Sequence, residues 1–521
     1  MTQISTQTIT GTITGTTALP DRVRTLVVGA GFAGLGTAIK LQDHGFPDFL
    51  VLDKGHSVGG TWRDNTYPGA ACDVPSQLYS FSFAPNPDWS RSFSPQPEIQ
   101  AYQERTAVES GVLDRFRFGV TVQDITWDED ANFWLVDTDR GSVVADVVIT
   151  GSGGLSEPKL PEITGLESFE GEVFHSARWN HDYDLTGKRV AVIGTGASSI
   201  QIVPEVARQV SHLDVYQRTA PWVMPRKDRE YKRFEKLGFR FLPFFQRAYR
   251  TGIYWGRECF VPGFVVNPKL AAPARRLALK NIERGISDPG LREAVTPDYQ
   301  IGCKRILISN DYYPALEAEH VDLVTDGIAE ITPAGIVAED GTTREVDVIV
   351  VATGFHTTEQ PIAQHIKGRN GRTMADAWGE EGMTAYKGTT IAGFPNLFQI
   401  VGPNTGLGHS SMVFIIESQI AYILSALQKM GEREIVSLEP SPEVQHAWNE
   451  DLQHRMQRTV WNSGGCASWY LDSHGRNTTL WPRTTFKFRA LLSEFDLDQY
   501  VVAARQDAPA TTTPDTEENA A

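Results

Sequence analysis

The 521-residue chain predicts an α/β protein of two βαβ-type domains, the second inserted in the first, with a helical insertion. Three observations lead there. Two segments read as strand, glycine turn, helix: Arg24-Thr-Leu-Val-Val-Gly-Ala-Gly-Phe-Ala-Gly-Leu-Gly36 and Arg189-Val-Ala-Val-Ile-Gly-Thr-Gly-Ala-Ser-Ser-Ile-Gln201. Each has a short β-branched run, then glycines, then a helical apolar pattern. Each is followed by another apolar strand, Phe49 to Asp53 and Leu213 to Gln217, so each opens a βαβ unit. Two further apolar runs end in glycine, Val147-Val-Ile-Thr-Gly151 and Val346-Asp-Val-Ile-Val-Val-Ala-Thr-Gly354. They read as buried strands leading into a crossing between domains.

The elements then fall in order. Residues 1–20 are Thr/Ser-rich, with no basic or apolar leader region, and read as a disordered tail. Residues 21–155 form the first part of the first domain, and Gly151 to Pro161 is the linker out of it. Residues 160–344 form the second domain. Within it, residues 227–300 read as a helical insertion, aromatic and mixed in charge. Pro243, Pro262 and Pro268 break that segment, which favours a cover over a pocket above a membrane-surface helix. Residues 345–505 return to the first domain, and the Ala/Thr/Pro/Glu-rich residues 506–521 read as a second disordered tail.

Composition limits the function classes. Hydrophobic residues are 41% and charged residues 21%, ordinary for a globular protein. A net charge of -16 argues against a nucleic-acid surface, which needs clustered positive charge. It fits a small-molecule enzyme. No apolar run is long enough to span a bilayer, so the expectation is a cytoplasmic monomer or homodimer without stable membrane association. The four cysteines, Cys72, Cys259, Cys303 and Cys466, form no C-x-x-C pair or metal-type spacing. Free thiols and no metal are expected.

The glycine turns carry the chemistry. Gly29-x-Gly31-x-x-Gly34 lets backbone approach a pyrophosphate at a helix N-terminus, where free N–H groups favour negative charge. Both domains are therefore Rossmann-like dinucleotide-binding domains. Asp53 ends the next strand at the right distance to accept bonds from a ribose diol, and would repel a 2′-phosphate. The first site thus suits FAD or NAD. Gly194-x-Gly196-x-x-Ser199 is the second turn, and Arg218 stands where the acidic residue would be. Guanidinium matches a phosphate dianion by bidentate bonding, so this site prefers NADP(H). FAD in one domain and NADPH in the other imply hydride transfer to a flavin.

Two longer stretches now matter. Gly59-Gly-Thr-Trp62-Arg-Asp-Asn-Thr-Tyr67-Pro-Gly69-Ala-Ala-Cys-Asp73 resembles one fingerprint of the Baeyer–Villiger monooxygenases throughout its length. Phe169-Glu-Gly171-Glu-Val-Phe-His175-Ser-Ala-Arg-Trp179 resembles the second, with Asn180 where the family has Pro or Asp. The resemblance implies conversion of a ketone and O2 to an ester or lactone through a flavin C4a-peroxide. Amine or sulfide oxygenation by the same peroxide is the alternative, and a non-catalytic flavin- or NADP-binding sensor is an alternative of another class. A disulfide reductase needs a paired redox cysteine motif, which is absent.

The resemblance also implies site residues. Gly29, Gly31, Phe32, Ala33 and Gly34 hold FAD at the first turn, with Asp53 and Lys54 beyond it. Gly60, Thr61, Trp62, Asp73 and Tyr79 follow from the fingerprint region, and Val122 and Met412 add contacts. Gly194, Thr195, Gly196, Ala197, Ser198, Ser199 and Gln201 hold NADP at the second turn, with Arg218, Thr219, Lys304, Arg305 and Trp469. Arg305, in Lys304-Arg305 before Asp311-Tyr-Tyr313, is the implied active-site cation. Lys304 helps hold the 2′-phosphate, and Asp73 orients Arg305. Arg suits this work because it stays charged and donates directional bonds to a negative oxygen. His175 is expected at the linker in a structural role. His409 sits in Gly406-Leu-Gly-His-Ser-Ser-Met412, which resembles the flavin-facing loop. Ser468-Trp469-Tyr470 matches the family, but its continuation to Trp481-Pro482 resembles a different branch from the cyclic- and phenyl-ketone members, so the ketone stays open.

Overall fold

The computed structural model describes residues 18–504; the two expected tails lie outside the described residues except for residues 18–20. There Leu19 already packs against a buried cluster, and the Ala18 carbonyl accepts from Arg117 Nε at 3.3 Å.

The first sheet begins with β1 (Arg22–Val28), the helix α1 (Phe32–Asp43) and β2 (Phe49–Asp53). It continues through β3 (Phe116–Phe118), β4 (Val122–Asp128), β5 (Phe133–Thr138) and β6 (Gly141–Thr150). β1 lies between β2 and β6, parallel to both, while β4, β5 and β6 form an antiparallel meander. All of β2 and the last four residues of β1 are buried. That follows from apolar, β-branched strands covered on both faces.

The second sheet contains β7 (Glu172–His175), β8 (Arg189–Ile193), the helix α2 (Ser199–Val206), β9 (His212–Tyr216), β10 (Val321–Val324) and β11 (Val348–Val351). Its order is β10-β9-β8-β11-β7, parallel throughout. In both sheets the glycine turn leaves a central strand, the place where open α/β sheets bind ligands.

β11 corrects the expected return point at residue 345. It is fully buried and hydrogen-bonds to β7 and β8, because a Val/Ile run buried on both faces fits a sheet interior. The crossing comes after Val351. There Lys159 N donates to Gly354 O at 2.9 Å and His356 N to Glu157 O at 3.0 Å, so the outgoing and returning linkers pair with each other. The chain re-enters the first sheet as β12 (Ile366–Lys367) beside β4 and β13 (Leu397–Gln399) beside β6.

The insertion is helical. It includes α3 (Arg233–Phe241) and α4 (Pro243–Glu258), followed by helices at Val261–Val265, Ala272–Gly285 and Pro289–Ala294. Pro243 and Pro262 stand in the first turn of their helices, where a missing N–H costs nothing. The prolines therefore divide the segment into short helices.

Candidate active site

The two glycine turns share one construction. Gly29 has φ +104°, and a Cβ there would lie 2.7 Å from Gly151 O. Gly194 has φ +112°, and a Cβ there would lie 2.6 Å from Ala352 O. Each turn thus crosses the end of the neighbouring strand, β6 or β11, at a distance that only glycine permits. Gly34 presses α1 onto its own turn, since a Cβ there would lie 1.7 Å from Gly29 O. Neither α1 nor α2 has a side-chain cap, so their first N–H groups are left for a ligand. A Cβ on Gly196 would meet nothing within 4 Å, so the second turn leaves room for a phosphate. These features fit two dinucleotides.

The expected flavin residues gather around α1. Gly59 N donates to Ala30 O at 2.9 Å, docking the Gly60-Thr61-Trp62 turn against the first glycine turn. Trp62 Nε1 donates to the Tyr79 hydroxyl at 2.9 Å. Tyr79 meets Phe32 edge-on at 5.2 Å between ring centres. Asp53 is buried and its carboxylate is largely engaged: it accepts from Ala30 N, Gly55 N and Arg63 Nη1, each at 2.7 Å. Arg63 was not singled out from the sequence. It is the one cation inside the first fingerprint, which is the signal that marks it. Lys54 pairs with Glu157 in the linker. Val120 N donates to Asp53 O at 3.1 Å, which brings the segment leading into Val122 beside Asp53. Met412 opens the helix α5 (Met412–Glu432), whose cap is the Ser411 side chain accepting from Val413 N.

At the second turn, Thr195 Oγ1 donates to Thr219 O at 3.1 Å, tying the glycines to the loop of Arg218. The Ser199 hydroxyl is buried without a protein partner among the described residues. Arg218 is exposed. Lys304 Nζ lies 5.2 Å over the Tyr299 ring, and burial together with the charge of Arg218 lowers its pKa. Among the described residues neither cation has an ion-pair partner. Ala197 and Ser198 lead into α2. Gln201 does something else. Its Oε1 accepts from the Tyr67 hydroxyl at 3.0 Å and from Ala71 N at 3.3 Å, and its Nε2 donates to Ala71 O at 3.0 Å. It fastens the second domain to the first fingerprint.

Asp73 and Arg305 meet from 232 positions apart. Arg305 Nε donates to Asp73 Oδ2 and Nη2 to Oδ1, both at 2.8 Å. Nη1 makes a long contact, 3.4 Å, to Leu407 O, and the Tyr470 hydroxyl neighbours the guanidinium. The side chains are 30% and 27% exposed. Burial alone would raise the Asp73 pKa, but Arg305 and then Arg257 hold it below the usual carboxylate range. Asp73 in turn raises Arg305 despite burial. Burial pushes Tyr470 up to about 12, against the opposing charge of Arg305. Arg257, on α4, donates to Asp73 O at 3.1 Å. It was not legible in sequence, because nothing local distinguishes it from the other arginines of the insertion.

Three expectations resolve here. His175 caps the turn that follows β7, its Nδ1 accepting from Ala177 N at 3.1 Å. It meets Phe355 of the returning linker at 5.7 Å between rings, and Asn180 donates to Glu172 at 2.7 Å. His409 is buried against Glu258 at 3.0 Å, and Glu258 also accepts from Thr485 Oγ1 at 2.6 Å. The dyad ties the Gly406–Met412 loop to α4. The expectation of four free thiols is corrected: Cys303 and Cys466 are disulfide-bonded, and only Cys72 and Cys259 are free. The partners are 163 residues apart, so no spacing rule reveals them. The bond fastens the Trp469–Tyr470 segment to the residue before Lys304. Trp469 is exposed and packs on Tyr470 at 4.4 Å.

A family model described as pyridine nucleotide-disulphide oxidoreductase matches residues 26–234, which include both glycine turns. Cys303 and Cys466 lie outside that match. A Baeyer-Villiger monooxygenase of Streptomyces coelicolor is 51% identical over 92% of this chain and 93% of its own length. One of Pseudomonas aeruginosa is 50% identical over 93% and 92%. The crystal structure of OTEMO in complex with FAD and NADP superposes with a TM-score of 0.84 at 27% identity, covering 92% of this chain and 99% of that one. With the first fingerprint ending in Asp73 paired to Arg305, and relatives of this identity over nine-tenths of the chain, the chain belongs to the Baeyer–Villiger monooxygenase family.

Proposed function

We propose that Asp73 and Arg305 form the reactive centre of a FAD- and NADPH-dependent Baeyer–Villiger monooxygenase that converts a ketone and O2 into an ester or lactone. The bound flavin supplies hydride acceptance from NADPH and activation of O2. The observation that carries the reading is the bidentate Asp73–Arg305 pair, with one guanidinium nitrogen left over.

Negative charge collects on oxygen before and during attack on a ketone carbonyl, and a cation that cannot lose its proton stabilises it throughout. Asp73 takes Nε and Nη2, which fixes the plane of the guanidinium. Nη1, with its long contact to Leu407 O, is the donor free to turn to a reacting oxygen. Arg257 holds the Asp73 backbone from the other side. Arg218 and Lys304, two cations without an ion pair among the described residues, bind the 2′-phosphate, whose dianionic charge offsets their mutual repulsion. Gln201 keeps the two domains in register across Tyr67 and Ala71. Asp53, neutralised in part by Arg63, holds the ribose of FAD with its remaining acceptor capacity.

No helix among the described residues is long and apolar enough to cross a membrane. A cytoplasmic enzyme, monomeric or homodimeric, completes the reading; cell fractionation and sedimentation test these two points. The activity is tested by incubating enzyme, NADPH and O2 with linear, cyclic and aryl ketones and weighing the products. Arg305→Ala is expected to keep flavin reduction measurable and to abolish ester formation. Ester output at the parent rate would remove Arg305 from the mechanism.

A further inference from the structure

The insertion presents large apolar side chains to water. On α3, Phe234, Leu237 and Phe241 recur at i, i+3 and i+7, the spacing of one helical stripe. Phe234 is 68% exposed and Phe241 71%. On α4, Phe244 is 70% exposed and Trp255 52%. The inner face of the same helix packs Tyr249, Ile253 and Tyr254 on the core and is also anchored by polar contacts. Gln246 Nε2 donates to Gln77 Oε1 and Asn86 O, each at 2.9 Å. Arg250 donates to Gln77 O at 2.8 Å, and Arg257 reaches Asp73. Large apolar side chains thus stand on the outer face as well as on the inner one. Contiguous exposed apolar surface of this kind marks an interaction site.

Charge indicates the partner. Residues 232–284 carry twelve Lys and Arg against three Asp and Glu, a net +9, so the rest of a chain of net -16 carries -25. Lys232, Arg233 and Arg247 are exposed beside the stripe and form no ion pair among the described residues. A second copy meeting this face by a two-fold axis would set Lys232, Arg233 and Arg247 against their own copies, which opposes association. Aromatic residues flanked by cations fit the interface of an anionic bilayer.

We propose that the outer face of α3 and α4 docks on an anionic lipid surface, with Phe234, Leu237, Phe241 and Phe244 at the acyl–headgroup boundary and Lys232, Arg233 and Arg247 at the phosphates. The docking is peripheral and salt-sensitive, and it departs from the expectation of no stable membrane association.

The test is co-sedimentation of holoenzyme with vesicles of phosphatidylcholine alone or mixed with phosphatidylglycerol. The enzyme is expected to partition at least about tenfold better onto the anionic vesicles and to leave them as salt rises. A variant combining Phe234→Ser, Phe241→Ser and Phe244→Ser is expected to lose that partition while keeping flavin absorbance and turnover of a soluble ketone. Arg233→Glu with Arg247→Glu carries the test should the triple variant fail to fold. Absence of partition onto anionic vesicles overturns the proposal, as does undiminished partition of either variant. A parent dimer that becomes monomeric in the serine variant also overturns it, assigning the face to a second copy. Partition is read without turnover, so it stands or falls separately from the oxygenase reading.

Discussion

Replacing Asp73 by Asn tests the active centre most directly. The change keeps shape and one acceptor but removes the charge that two guanidinium donors meet at 2.8 Å. A charge-assisted hydrogen bond is worth about 1.5–3 kcal/mol. The two side chains are 30% and 27% exposed, so solvent screens part of this, and the combined loss is about 2–3 kcal/mol. If the pair fixes Arg305 for the oxygenation step, kcat falls about 30- to 150-fold at 1.36 kcal/mol per decade. NADPH does not require that geometry to reduce the flavin, so the anaerobic reduction rate should stay within a factor of about three. Stopped-flow absorbance measures reduction, and the ratio of ester formed to NADPH consumed measures coupling. Uncoupled NADPH oxidation, with partial rescue by Asp73→Glu, is the expected signature. Equal losses of reduction and of ester, with coupling unchanged, would show that Asp73 only holds the fold and would refute the reasoning. Because the folded-state pKa of Asp73 is lowered, its contribution to stability is present above the ordinary carboxylate pKa and is lost as pH falls through the folded value. The parent pH profile of coupling should therefore show no inflection from Asp73 near neutrality.

Four further outcomes are expected. Arg218→Ala should lower kcat/KM for NADPH about 10- to 150-fold, from a lost contact of about 1.5–3 kcal/mol, and leave NADH unchanged; an unaltered coenzyme preference would move the 2′-phosphate elsewhere. Gly34→Ala sets a Cβ 1.7 Å from Gly29 O and should yield protein without bound flavin, so a normally yellow preparation would contradict the close approach. Thiol titration of unreduced, denatured protein should find two reactive thiols, and finding four would remove the Cys303–Cys466 bond. Burial lowers the His175 pKa below 6.5. Its stabilising effect is therefore complete above pH 6.5 and fades as pH falls through the folded value. Thermal melts of the parent should drop toward those of His175→Gln below that pH, and a constant gap would show that His175 does not titrate on unfolding.

Much of this protein was legible in the chain because its information is local. A glycine turn between an apolar strand and a helix needs left-handed backbone at Gly29 and Gly194 and close approach at Gly34, so these positions announced two nucleotide domains before any contact was known. The choice of Asp53 in one and Arg218 in the other followed from charge alone. The long fingerprints gave Asp73 and Trp62 by position.

Other features have no local signature, since they arise where distant segments meet. Nothing near Arg257 in the sequence distinguishes it from its neighbours; α4 selects it by lying across Asp73. Nothing near Gln201 in the sequence shows that its amide joins Tyr67 and Ala71. Cys303 and Cys466 become partners only when the C-terminal segment returns beside Lys304. The end of the second domain was misplaced because a buried strand reads the same whichever sheet it joins, and hydrogen bonding to β7 and β8 decides for β11. Covalent neighbours constrain backbone conformation and charge order, which the sequence therefore determined; pairing across more than a hundred residues depends on packing, and only the tertiary structure decided it.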